Sequence, residues 1–134
     1  MGEINIPAYY RPDAKSEYLP VTEIEENAFR NCENITAITI PAGVRSIGKS
    51  AFYWCSYLAS ISIPDSVTSI GNEAFDGCKK IASITIPASV RSVGAWAFNA
   101  WNPSSQIINI EGSTDGWNPY WNDGLKVTIN YLGQ

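Results

Sequence analysis

The chain has 134 residues, 45% hydrophobic and only 16% charged, which is one domain's worth of material able to bury a core and unlike a disordered chain. Its net charge of −4 and scattered cations (Arg11, Arg45, Lys49, Lys79, Lys80 and Arg91 among them) leave no basic stripe to displace counterions from nucleic acid and no cluster to hold an anionic membrane. No stretch approaches the roughly 20 apolar residues that span a bilayer, so membrane insertion is not expected.

The first 20 residues lack the charged-then-apolar order of a signal peptide, so either the protein stays inside the cell or its leader has been replaced. Met1-Gly2-Glu3-Ile4-Asn5-Ile6 also lacks the Ser or Thr of a myristoylation site. Ile4-Asn5-Ile6-Pro7 reads as a first strand, followed by an 11-residue insertion before Val21-Thr22-Glu23-Ile24.

From there the chain is periodic. Ala-Phe recurs at 28–29, 51–52, 74–75 and 97–98, each 23 residues after the last. Cys follows at 32, 55 and 78, with Trp101 in the fourth slot. Ile-x-Ile-Pro recurs at 38–41, 61–64 and 84–87, and 41–63 matches 64–86 at 12 of 23 positions. Within one unit, Leu58-x-x-Ile61-x-Ile63-Pro64 alternates apolar and small polar residues, which is a strand with one face in the core. Pro64 removes a backbone donor and turns the chain out of the strand. Val67-Thr68-Ser69-Ile70 is a second short extended piece closed by Gly71. Ala74, Phe75, Cys78 and Ile81 then fall on one face of a short helical segment.

Stacked coils of this kind place their strands about 4.8 Å apart in one parallel sheet, with Ile on Ile, Phe on Phe and Cys on Cys. Ile108-Asn109-Ile110 continues the series one residue late, and Val127-Thr128-Ile129 ends it, for six rungs in all. A single domain is expected: 1–20 an N-terminal cap and insertion, 21–110 the repeats, 111–134 a C-terminal cap. Trp96, Trp101, Trp117, Tyr120 and Trp121 are expected in the core of that cap, because a bare last rung needs bulky cover.

The pattern Cys-x-x-Leu-x-Ser-Ile-x-Ile-Pro-x-Ser-Val-x-Ser-Ile-Gly-x-x-Ala-Phe, over roughly residues 20–110, resembles the BspA-like, treponemal-type leucine-rich repeat. The resemblance implies a leucine-rich repeat solenoid, with short parallel strands in one sheet and short helical turns on the opposite side. It also implies an extracellular or surface-displayed bacterial or protist protein that binds other proteins. Pro41, Pro64 and Pro87 stand where the common leucine-rich repeat has an Asn ladder, which fits this subtype. Trp101 for Cys and the extra residue in Ser104-Ser105-Gln106 depart from it and mark where the cap begins.

Catalysis finds little to work with. The chain has no His, which removes the commonest general base and metal ligand and any Ser–His or Cys–His nucleophile. Three Cys in a row cannot make a tetrahedral zinc site without a fourth ligand, and Cys32, Cys55 and Cys78 read as small hydrophobes in a ladder. Glu23, Glu25, Glu26 and Glu33 read as a solvated acidic edge. Asp115-Gly116 and Asn122-Asp123-Gly124 read as turns, with no recognisable Ca²⁺ spacing. No catalytic residue, cofactor site or metal site is assigned.

Surface binding is what remains. The repeats differ most at pairs flanking Ala-Phe and Cys, such as Tyr53-Trp54 and Ser56-Tyr57 in one repeat and Asp76-Gly77 and Lys79-Lys80 in the next. Such tolerant positions are expected to face solvent. Tyr53, Trp54 and Tyr57 stand there in mid-array, where capping does not call for aromatics, and are the candidate partner-binding residues. The plainer reading is that one or two tuck against a neighbouring repeat. A protein partner is expected; the alternatives are a glycan stacked on this cluster, or a structural or engineered repeat scaffold.

Overall fold

The computed structural model describes residues 2–133. Its chain winds as a coil of short strands, and two of its sides are β-ladders. On the first side run β1 (Glu3–Asn5), β5 (Ala37–Thr39) and β7 (Ser60–Ser62), then β9 (Ser83–Ile86), β11 (Ile107–Ile110) and β12 (Thr128–Tyr131). Every pairing is parallel, with Ile4 on Ile38 on Ile61 and Ile84 on Ile108 on Ile129. In-register stacking follows from the repeat, since a slip of one residue would turn each Ile to solvent. The outward residues Thr39, Ser60, Ser62, Ser83 and Thr85 are exposed, as their small polar character predicts.

The expectation of one sheet is corrected in two ways. The first side is two three-stranded ladders, because β7 is not hydrogen-bonded to β9. A cavity of about 360 Å³ opens at that seam, lined by Ser62, Asp65, Ser83, Thr85 and Glu111 among others, and Ile61 is only half-buried there. The extended pieces after each Pro form a further sheet: β4 (Glu23–Ile24), β6 (Ser46–Ile47), β8 (Ser69–Ile70) and β10 (Ser92–Val93). This ladder is continuous across the same seam. Gly71 closes it because a Cβ there would lie 2.6 Å from the backbone nitrogen of Lys49.

The last rung, expected at 127–129, is found at Thr128–Tyr131. Ile129 lies opposite Ile108. Val127 is buried instead as part of the end cover. The insertion folds as an antiparallel hairpin of β2 (Tyr9–Tyr10) and β3 (Leu19–Pro20), all four residues exposed.

The third side was expected to be helical, and no helix occurs among the described residues. The reason is conformational. Asn27, Ser50, Glu73 and Trp96 share one column and Asn31, Trp54, Gly77 and Ala100 another, all with φ between 53° and 79°. A left-handed residue at each end stops a helix before it has one full turn. It also turns the N–H groups along the solenoid axis. Asn27, Phe29 and Asn31 donate to Lys49, Ala51 and Tyr53 of the next coil, at 2.7–2.9 Å. Ser50, Phe52 and Trp54 repeat this on Asn72, Ala74 and Asp76, and Glu73, Phe75 and Gly77 on Ala95, Ala97 and Asn99. The i, i+1, i+4 apolar pattern is thus real but belongs to a stacked turn.

Inside, the ladders appear as expected. Phe29, Phe52, Phe75 and Phe98 stack nearly parallel with centroids 5.4–5.8 Å apart. Cys55 and Cys78 donate their thiols to the carbonyls of Phe29 and Phe52, each at 3.0 Å. Trp101 fills the same slot and its indole donates to the carbonyl of Phe75 at 2.9 Å. Gln106, buried in the lengthened fourth repeat, donates to the carbonyls of Cys78 and Ile81 at 2.8 and 2.9 Å. Trp117 and Trp121 meet edge to face at 4.9 Å and, with Trp101, cover the end of the core.

Candidate functional site

Between the left-handed residues Ser50 and Trp54 the chain turns Ala51, Phe52 and Cys55 inward, all fully buried. That leaves Tyr53, Trp54 and Tyr57 outside the core. The structure brings the first two together, with rings 6.4 Å apart at 65°, while Tyr57 stands at the coil's outer corner, 55% exposed.

Tyr53 and Trp54 are half-buried rather than free. The Arg30 guanidinium lies 4.2 Å over the Tyr53 ring, and the Lys79 ammonium 4.5 Å over the Trp54 ring. Each cation comes from a neighbouring coil, one from the coil before and one from the coil after. Such pairs add about 0.5–1 kcal/mol at exposed sites and hold both partners in place. Trp54 also lies across Gly77, where any Cβ would run into the indole, and Gly77 has φ +79°. Two of the three candidate residues therefore tuck against neighbouring repeats.

One sequence expectation fails beneath this patch. Asp76 and Gly77 occupy tolerant positions expected to face solvent, yet both are buried. Asp76 is 4% exposed; one oxygen accepts from the Asn99 amide at 3.4 Å and the other has no partner. Burial pushes its carboxyl up to about 6, with the charge of Glu73 adding to the effect and the Asn99 hydrogen bond opposing it. A signal for this burial was present in the sequence: Trp54 stands above Gly77 in one column, a large residue over none.

The same accounting applies to the thiols. Burial pushes Cys55 up to about 11 and raises Cys78 as well, so neither is a thiolate nucleophile at neutral pH. Cys32, at the open end of the ladder, is partly exposed. No group of three or more His, Cys, Asp or Glu able to hold a metal occurs among the described residues.

A second aromatic group was missed. Trp96 and Tyr120, expected in the core of the cap, are 44% and 56% exposed, their rings stacked at 6.1 Å. Trp96 falls in the left-handed column beside Ala97-Phe98, where the backbone points the side chain out. The spacing in the sequence marks that column but carries no mark of its φ.

A coil of six short parallel rungs, isoleucine-lined, with a surface of polar and aromatic side chains, defines a leucine-rich-repeat solenoid. The BspA type leucine rich repeat region matches residues 4–118 in six copies, and the chain belongs to this family. Among solved structures, a leucine-rich repeat protein from Bacteroides ovatus is 33% identical with a TM-score of 0.80, over 97% of this chain and 33% of that one. A second, from Bacteroides capillosus, is 35% identical with a TM-score of 0.72, over 82% of this chain and 77% of the other. A leucine rich cell surface protein from Faecalibacterium prausnitzii is 29% identical with a TM-score of 0.58, over 83% and 38%. This chain thus spans about a third of the length of the Bacteroides ovatus protein. Among curated proteins none matches.

Proposed function

We propose that the chain is a non-catalytic, protein-binding module displayed at a bacterial cell surface, and that its partner docks at Tyr53, Trp54 and Tyr57. The observation that carries this is the pinning of the cluster. Arg30 and Lys79 hold two aromatic rings from either side, and Tyr57, three residues further along the same coil, is exposed. Rigid Tyr, Trp and Arg side chains are the material of interface hot spots, because little rotamer freedom is lost when a partner packs on them. Family membership and the surface location given for the Faecalibacterium prausnitzii protein support display outside the cell. Sugar stacking on Tyr53 and Trp54 is disfavoured, since both rings are half-buried in addition to lying under a cation.

The test is binding of purified host extracellular-matrix and mucosal proteins to the immobilised chain, compared with Tyr57→Ser and Arg30→Ala, which leave the Trp54–Gly77 packing intact. A partner whose affinity falls at least about tenfold in both variants supports the surface. Affinity unchanged in both would remove this site.

A further inference from the structure

The exposed aromatics differ in what covers them. Tyr53, Trp54 and Tyr18 each carry a cation over the ring. Trp96 and Tyr120 do not: among the described residues no cation sits over either, and they stack on one another with planes 26° apart.

Three features set this pair apart from a cap. The rings that close the core here are others, since Phe98 is fully buried and Trp101 and Trp121 pack edge-on against its ring. The Trp96 column makes no demand for an aromatic, since Asn27, Ser50 and Glu73 fill the same position in the other coils. And Trp96 has φ +55°, a region that penalises a bulky side chain, yet the residue is 44% exposed. The chain carries an exposed tryptophan at a left-handed position that the other coils fill with Asn, Ser and Glu.

The surroundings of the pair are polar and suited to hydroxyl groups. The Trp96 indole N–H donates to an oxygen of Asp123 at 3.3 Å, which fixes the ring's rotation and sets a carboxylate at its edge with a second oxygen to accept. Asn118 accepts from the Tyr120 N–H through its side-chain oxygen at 2.8 Å, which leaves its amide NH₂ as a donor. A flat apolar face rimmed by a carboxylate and an amide matches a sugar ring, apolar on its C–H face and hydroxylated at its edge. The carboxylate repels acidic sugars.

We propose that Trp96 and Tyr120 form a platform for a neutral pyranose, with Asp123 accepting from its hydroxyl groups. This goes beyond the protein-docking surface and does not rest on it.

The five tryptophans each supply one indole N–H signal in a ¹⁵N-labelled sample, and that of Trp96 is identified by its loss in Trp96→Gly. Titration with lactose, cellotriose and mannobiose is expected to shift the Trp96 signal saturably for at least one sugar, with a dissociation constant of about 1 mM. The buried Trp101, Trp117 and Trp121 should not move. Tyr120→Ser should weaken binding at least about tenfold, and Trp96→Gly should abolish it while melting no lower than the parent, glycine being at home at this φ. Tyr57→Ser should leave it unchanged, so loss of the protein-docking surface and loss of this platform are told apart. A Trp96 signal unmoved by all three sugars up to about 20 mM would overturn the platform. So would a Trp96→Gly chain that melts several degrees lower, which would make the indole a packing element.

Discussion

In the middle coils two thiols, Cys55 and Cys78, reach back to the carbonyls of Phe29 and Phe52; at the C-terminal end the Trp101 indole reaches Phe75 in the same way. In the middle, the Phe and Cys columns stack directly from coil to coil; at the end, the lengthened loop is locked by Gln106 on the carbonyls of Cys78 and Ile81. What the repeat specifies is therefore a donor at a point in space rather than a residue type. Each of these carbonyls already accepts a backbone N–H from its own turn (Cys32 on Phe29, Cys55 on Phe52, Cys78 on Phe75), and the thiol or indole supplies a second donor to the remaining lone pair.

Substitutions can break or sharpen that contrast. The largest effect is expected for Phe75→Ala, with a fully buried ring stacked on both sides: a loss of about 3–5 kcal/mol by urea denaturation. Phe29→Ala, in the half-buried first ring, should lose about half as much. Equal losses would mean that the stack has no interior. Next comes Gln106→Leu, which keeps bulk but strands two carbonyls; a loss of about 1–3 kcal/mol is expected, and a neutral result would show that the end is held by its tryptophans alone.

Asp76 supplies a smaller, pH-dependent effect. Its folded value of about 6 lies above the ordinary 3.8, so the native state takes up a proton more readily than the unfolded chain. The stability from this group is fully present below 3.8 and is lost as pH rises through about 6. Asp76→Asn should raise the melting temperature by a few degrees at about pH 7.5 and by less at about pH 5. A uniform change at both would show that its charge plays no part. The smallest effect is expected for Glu73→Gly, which relieves φ +57° and should add up to about 1 kcal/mol. A loss there would mean that the Glu73 side chain, not the backbone, holds this turn.

Much of the fold was legible before any coordinates. The 23-residue period, the inward isoleucines, the strand-ending prolines and the Phe and Cys ladders all follow from residue spacing, and all are found. The helical side was misread, because apolar residues at i, i+1 and i+4 suit a stacked turn as well as a helix. Only the φ of the flanking residues separates the two, and Ser50, Glu73 and Trp96 are not residues that announce it. Of the candidate site, the three aromatics were visible as departures from the repeat. Their coverage by Arg30 and Lys79 was not, because it depends on side chains of adjacent coils meeting across the axis.

By itself the sequence determined a coil of 23 residues, its inward face and the order of its rungs, since periodic burial of isoleucine, valine and phenylalanine has one economical arrangement. The tertiary structure alone decided which aromatics stay uncovered and where the β7–β9 seam opens. Those outcomes turn on contacts between coils, where a ring meets a cation, a glycine or water according to what the neighbouring repeat places beside it.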